Sequence, residues 1–155
     1  MIQDDIESDV WLFWRKDIQV NIADMQNPAL PVLFPNEPFV NPVNPDDPFQ
    51  QPEKQLWLEV LYFTSNQSET IAKGTYRKSG IVTFNIHVPL GTGITSANAL
   101  AKVIIDKYQG LQVLDQLIMV DSCSSLGAGF PNGDKWTKQV DAQFRFLTAK
   151  LGEAI

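Results

Sequence analysis

The spacing of apolar residues predicts an amphipathic helix and two strands in the first part of the chain. In residues 2–19, apolar side chains recur at steps of three and four, and acidic residues gather near the beginning, as is typical of an amphipathic helix. Residues 56–64 are apolar on both faces apart from Glu59, which favours a central strand covered on two sides. Residues 81–88 alternate strictly, so one face is polar and carries Thr83, Asn85 and His87, opposite Val82, Phe84, Ile86 and Val88.

A second helix is predicted directly after the alternating strand. The turn that begins at Pro89 contains two glycines, Thr95 or Ser96 is expected to cap the helix, and Gly110 is expected to end it. The inward stripe of this helix is Ala97, Leu100, Ala101, Ile104 and Tyr108.

Two further strands are predicted near residues 114–122 and 136–148, separated by a glycine-rich turn over residues 124–133. Residues 65–80, between the first two strands, are interpreted as a mobile connection or an extended hairpin arm. The fold class expected from this order, α-β-β-α-β-β, is α+β: a four-stranded, mainly antiparallel sheet with two helices packed on one face. We expect a single domain over residues 1–155, whose polar sheet face meets water or another copy of the protein.

A proline-rich segment separates the first helix from the first strand. Residues 27–52 contain eight of the ten prolines of the chain, so neither a helix nor a central strand can run through them. We expect an extended loop there. Loops longer than about 12–15 residues are usually functional or disordered. The repeated aromatic residues Phe34, Phe39 and Phe49 indicate that this loop docks, either on its own domain or on a neighbouring subunit.

Composition narrows the function classes. A net charge of −6 makes tight, non-specific binding to duplex DNA a poor hypothesis, since that binding depends on cations that neutralise phosphates. Charged residues form only 19% of the chain, which leaves surface for partners. Cys123 is the single cysteine, so no disulfide can form within the chain. The sequence shows neither a leader pattern nor a run of about 18 apolar residues, and we expect a soluble protein without a membrane segment.

The sequence offers no persuasive catalytic, metal-binding or cofactor-binding set. His87 could be combined with Cys123 and Asp121 as a nucleophile triad, but no motif supports that geometry. One histidine and one cysteine cannot supply a structural zinc site. The turn from Gly91 to Ser96 approximates a dinucleotide-binding loop, but too few residues follow it for a nucleotide-binding sheet. We therefore interpret Gly80, Pro89, Gly91 and Gly93 as structural turn residues.

The central stretch resembles the tail-terminator proteins of tailed bacteriophages, a family related to the lambda tail terminator. The resemblance covers about residues 56–148 and rests on Leu56-Trp-Leu-Glu-Val, on Arg77-Lys-Ser-Gly before an alternating strand, on the Pro-Leu-Gly-Thr-Gly turn with its alanine-rich helix, and on a closing strand led by Trp136. The long proline-rich segment departs from the family pattern.

The resemblance implies a structural virion protein rather than an enzyme. Such proteins form a ring, commonly hexameric, that caps the tail tube, ends tail polymerisation and provides the surface for joining tail to head. The implied partners are further copies of the chain, the tail tube protein and a head-connector or neck protein, with DNA passing through the channel without specific binding. The implied location is the head-proximal end of the tail in the virion, after synthesis in the host cytoplasm.

Two alternatives remain open, namely a head–tail adaptor, neck or other minor tail protein, and a small enzyme that binds an anion at the Gly91–Ser96 turn. No cofactor is expected. The hypothesis for subunit or partner contacts rests on two segments, the proline-rich loop and the arm over residues 65–80, and its residues are Phe34, Phe39, Phe49, Tyr76, Arg77 and Lys78.

Overall fold

The structure is a computed structural model that describes residues 2–26, 29–37, 56–65, 69–72, 75–113, 118–125 and 127–149. Two α-helices and eight strands are described, together with a π-helical turn at Ile18–Ala23 that follows the first helix. The elements are α1 (Ile2–Asp17), β1 (Val32–Leu33), β2 (Trp57–Thr64), β3 (Glu69–Ala72), β4 (Thr75–Pro89), α2 (Thr95–Tyr108), β5 (Gln112–Val113), β6 (Ile118–Ser125), β7 (Phe130–Asn132) and β8 (Lys135–Ala149).

The strands form one eight-stranded mixed sheet in the order β1-β2-β4-β8-β6-β5, with β3 paired to β4 and β7 paired to β8. The β1–β2 pair is parallel and the other pairs are antiparallel. The expectation of a four-stranded, mainly antiparallel sheet is therefore wrong, although the α+β class holds. The additional strands have two to four residues each, which is too short to produce a periodic pattern in the sequence.

The sheet is organised around two long strands. β4 and β8 have 15 residues each and pair along their whole length, from Thr75 opposite Ala149 to Pro89 opposite Lys135. Both strands are longer than the sequence predicts. The start of β4 also pairs with β3, so the described part of residues 65–80 forms a hairpin arm rather than an unstructured connection.

Both helices contribute to a single core on one side of the sheet. The predicted stripe of α2 is confirmed, because the five residues named for it are its buried residues. Trp14 of α1 is fully buried and its ring centroid lies 5.1 Å from that of Tyr108 and 5.2 Å from that of Phe144. The same core takes the even-numbered residues of β4, namely Val82, Phe84, Ile86 and Val88.

The beginning of α2 differs from the prediction, and its end agrees with it. Ile94 is the N-cap residue and makes no side-chain capping bond, so the prediction of Thr95 or Ser96 as the cap is wrong. At the other end, Gly110 follows the helix with φ +73°, a conformation that glycine adopts readily. Neither described helix is long and apolar enough to cross a membrane.

Candidate functional site

The structure separates the residues that the sequence groups as contact candidates. Phe34 is 1% exposed and packs in the core of its own domain, with its ring centroid 6.3 Å from that of Trp11 and 3.8 Å from the Arg15 guanidinium carbon. Phe39 and Phe49 lie outside the described residues. Lys78 makes an ion pair with Glu7 of α1, and Tyr76 and Arg77 lie beside it on the half-buried start of β4. The arm is therefore tied to the first helix.

The sheet face opposite the helices, called the outer face here, carries the odd-numbered residues of β2, β4 and β8. Backbone register places Trp57, His87 and Thr137 side by side at one level of this face, and Glu59, Asn85 and Gln139 at the next. At the opposite end Phe63 lies beside Ile81, which lies beside Gln143. The outer face thus has a polar end and a more apolar end.

The polar end is organised by a row of three side chains, which we call the histidine row: Glu59, His87 and Thr137. The imidazole Nε2 of His87 lies 3.0 Å from Glu59 Oε1, and its Nδ1 lies 2.7 Å from Thr137 Oγ1. The Trp57 ring covers the imidazole at a centroid distance of 4.2 Å. His87 and Thr137 are each 1% exposed.

A hydroxyl, an imidazole and a carboxylate in this order resemble the hydrogen-bond chain of a nucleophile triad. Burial argues against catalysis, because a substrate cannot reach a hydroxyl on a residue that is 1% exposed. The hydrogen bond from His87 lowers the pKa of Glu59, against the opposing effect of burial, with a smaller contribution from the bond that Asn85 donates. Glu59 therefore stays ionised, and the row joins three adjacent strands.

The combination of His87 with Cys123 and Asp121, for which the sequence offers no motif, does not form, because His87 bonds to Glu59 and Thr137 and Asp121 pairs with Arg145. Burial raises the pKa of the Cys123 thiol to about 11, with a smaller contribution from Asp141, so this thiol is a poor nucleophile near neutral pH. Its Sγ lies 4.0 Å from the Ile104 carbonyl oxygen. Across the described ranges, no cluster of three or more His, Cys, Asp or Glu side chains could hold a metal ion.

Next to the histidine row, a second set of polar groups is satisfied on the same face. Thr83 donates a hydrogen bond of 2.8 Å to Asp141 Oδ1, and the Gln139 amide donates to both oxygens of the same carboxylate at 3.2 and 3.3 Å. Thr83 is only 7% exposed. Much of the polar face is therefore bonded to itself instead of being offered to a partner.

The other end of the outer face holds a shallow groove of about 410 Å³. Phe63 and Ile81 supply its apolar wall and are 56% and 37% exposed. Asp121 lies at its border and makes an ion pair with Arg145, whose Nε is 3.1 Å from Asp121 Oδ1. The backbone of Gly80 is part of the lining, and no side chain would fit there, because a Cβ would lie 2.5 Å from Phe144 Cζ.

The glycine turn after β4 forms a smaller hollow of about 230 Å³ lined by Pro89, Gly91, Gly93, Ile94 and Trp136. Gly91 and Gly93 have φ +82° and +83°, and the Thr92 hydroxyl donates to the Pro89 carbonyl at 2.7 Å. Gly91 and Gly93 therefore occupy backbone conformations that glycine adopts readily, whereas Gly80, also predicted as a turn residue, lies within β4 opposite Thr64 and Phe144.

The second glycine-rich turn is held against β8 by two hydrogen bonds. The Trp136 indole donates to the Ala128 carbonyl at 3.0 Å, and Lys138 donates to the Gly127 carbonyl at 2.6 Å. Phe130, the first residue of β7 within this region, is 45% exposed.

Sequence reasoning missed the most organised part of this surface. It placed His87 on a polar face, but it did not connect His87 with Glu59 or Thr137, which are 28 and 50 residues away in the chain. It also read residues 56–64 as covered on both sides, whereas Phe63 is exposed. The alternating pattern identifies the sheet face on which each residue lies. It does not show which residues of neighbouring strands are paired, and that register brings Glu59 and Thr137 to His87.

The fold and the outer face define a small α+β domain that presents a broad sheet surface. The chain belongs to the phage tail terminator protein family, whose sequence pattern matches residues 18–144. The protein is therefore a structural component of a phage tail. A solved protein structure whose name states no function has the same fold, with a TM-score of 0.62 and 19% identity over 94% of this chain and 96% of that chain. No curated protein sequence matches the chain.

Proposed function

We propose that this protein assembles into a ring that caps the phage tail tube, ends tube polymerisation and provides the surface to which the head is joined. The observation that carries the proposal is the family match over residues 18–144. The proposed partners are further copies of the chain, commonly six in a ring, together with the tail tube protein and a head-connector or neck protein. The proposed location is the head-proximal end of the tail, and the proposed role is not enzymatic.

The surface chemistry supports such a role. Only 19% of the residues are charged, and large apolar side chains such as Phe63 and Met25 are 56% and 72% exposed. A ring requires heterologous contacts, in which one part of the subunit surface meets a different part of the next subunit. A net charge of −6 per chain also fits a channel through which DNA passes without binding.

The test is a phage with a stop codon in this reading frame, examined by electron microscopy. We expect overlong tail tubes without heads, and normal virions when the wild-type protein is supplied in trans. Tails of normal length that lack heads would contradict the capping role and would favour the adaptor or neck alternative. Infectious virions of normal form would contradict both.

Ring formation itself is tested by light scattering of the purified protein with and without tail tubes. We propose the arm residues Tyr76 and Arg77 and the loop residues Phe39 and Phe49 as subunit contacts. Phe34 and Lys78 are left out, because Phe34 is buried in its own domain and Lys78 pairs with α1. Alanine at Tyr76 and Arg77 should lower the assembled mass, whereas alanine at Lys16, an exposed residue of α1, should not. An unchanged mass in the arm variant would remove the arm from the proposed interface.

A further inference from the structure

The histidine row is a contact between three strands and not a local feature of one strand. Glu59 belongs to β2, His87 to β4 and Thr137 to β8, and the imidazole reaches both neighbours at 3.0 and 2.7 Å. The row lies on the outer face, apart from the apolar core, and adds side-chain hydrogen bonds to the backbone pairing of these strands. His87 and Thr137 are each 1% exposed, so water would not replace a partner lost by either of them at no cost.

Both protonation states of His87 fit the geometry. In the neutral ring, Nε2–H donates to Glu59, and Nδ1 accepts a hydrogen bond from the Thr137 hydroxyl. In the charged ring, both nitrogens donate, and the Thr137 oxygen accepts, because a hydroxyl can rotate to serve as donor or acceptor. The Asn132 amide, 3.3 Å from Thr137 Oγ1, donates to this oxygen in either state. Protonation of His87 therefore breaks none of its bonds while Glu59 remains ionised.

Neutralisation of Glu59 has a different consequence. The Nε2–H of His87 would then face a neutral carboxylic acid instead of a carboxylate. Hydrogen bonds to an ionised acceptor are stronger than those to a neutral one, so protonation of Glu59 weakens the side-chain link between β2 and β4.

We propose that the histidine row is an acid-released clamp, which adds side-chain bonds across β2, β4 and β8 to their backbone pairing whichever form His87 takes, and which loses its charged acceptor when Glu59 is protonated. The inference does not depend on the proposed capping function. The charged groups that face the row are Glu59 from β2 and Lys135 from β8, whose ammonium lies 5.8 Å from the Trp57 ring centroid. Asp141, also on β8, is bonded to Thr83 and Gln139 instead.

The direction of the pH effect follows from the Glu59 carboxyl. Its pKa in the folded protein is lowered from the ordinary value of 4.5, first by the hydrogen bond to His87. A group with a lowered folded pKa stabilises the fold above its unfolded pKa, and that stability is lost as the pH falls through the folded value. The clamp therefore holds at neutral pH and is released below about pH 4.5.

The first experiment compares wild type with Glu59→Gln and with Asp106→Asn by urea unfolding at several pH values. Asp106 is the matched control, because its carboxylate forms an exposed pair with Lys102 on α2. At neutral pH, Glu59→Gln should lower the folded-to-unfolded ratio about five- to tenfold, because the bond from His87 then goes to a neutral amide oxygen instead of a carboxylate. That difference should shrink as the pH falls below 4.5, while Asp106→Asn stays close to wild type throughout. A Glu59→Gln effect that is the same at all pH values would overturn the proposal.

The second experiment does not require a stable variant, because His87 is the only histidine in the chain. Its imidazole proton resonances can be followed by NMR during an acid titration without ambiguity of assignment. We expect these resonances to change below about pH 4.5, where Glu59 is protonated and the protein is still folded. Resonances that stay constant from about pH 4.5 to the onset of global unfolding would contradict the clamp.

Discussion

Replacing Gly129 by alanine should destabilise the β7–β8 end of the sheet more than the same change at other turn glycines. A Cβ at position 129 would lie 2.4 Å from Trp136 Nε1 and 2.6 Å from the Thr137 carbonyl oxygen, closer than the 3.0 Å that real contacts respect. Gly129 also has φ +116°, which side-chain-bearing residues rarely adopt. Both the contact and the backbone conformation oppose the added methyl group.

The size of the effect can be worked out from these two causes. A residue held in a backbone region that is essentially restricted to glycine costs about 1–3 kcal/mol. Overpacking against neighbours that cannot withdraw typically costs a further 1–3 kcal/mol. The Trp136 ring could move, but the Thr137 carbonyl is part of β8 and cannot. We therefore expect Gly129→Ala to lower the free energy of unfolding by about 3 kcal/mol or more.

Gly127 and Gly133 provide the matched controls. They have φ +63° and +66°, and a Cβ at either position would meet nothing within 4 Å. Alanine there should cost only the left-handed backbone conformation, about 1–2 kcal/mol. The assay is urea unfolding followed by circular dichroism, with the free energy extrapolated to water. If Gly129→Ala and Gly133→Ala were equally stable within about 0.5 kcal/mol, the packing argument would be wrong.

Three further changes test other parts of the structure. Gly80→Ala places a Cβ 2.5 Å from Phe144 Cζ and 2.6 Å from the Phe63 carbonyl oxygen, and we expect urea unfolding to show a loss of about 1–3 kcal/mol; wild-type stability would refute the close packing beneath the groove. Tyr108→Phe removes the hydrogen bond of 2.7 Å that the phenol donates to Asp17 Oδ2 and should cost about 1.5 kcal/mol in the same assay, whereas no loss would indicate that the bond contributes nothing. Cys123, whose pKa is raised to about 11 by burial, should react roughly a hundredfold more slowly with a thiol reagent at neutral pH than in denaturant, and equal rates would show that the thiol is accessible.

The sequence predicts best those parts of the fold in which apolar residues recur at a regular spacing over many positions. α2 contains five buried residues at helical spacing, and β4 alternates over residues 81–88, so the face of each residue could be assigned before the structure was known. The short strands could not be found in this way. β1 and β5 have two residues each, which is too few for a pattern to be recognised, and a neighbouring strand supplies their backbone partners.

The cap of α2 shows why a propensity can point to the wrong residue. Thr95 and Ser96 are both good capping residues, but the helix begins at Thr95, so Ile94 occupies the cap position. The turn that includes Gly91 and Gly93 determines where the helix can begin. Geometry of the preceding turn overrides the preference of a single side chain.

The outer face shows that a polar pattern predicts hydrogen bonding and not exposure. His87, Thr137 and Thr83 all lie on the face that the alternating pattern marks as polar, yet they are 1%, 1% and 7% exposed. They are hidden because their partners, including Glu59 and Asp141, are brought to them by strand pairing. The apolar residues Phe63 and Ile81 remain exposed on the same face. On the outer face, contact surface is therefore to be sought at the apolar end around Phe63 and Ile81, and not at the polar end, whose side chains already bond to one another.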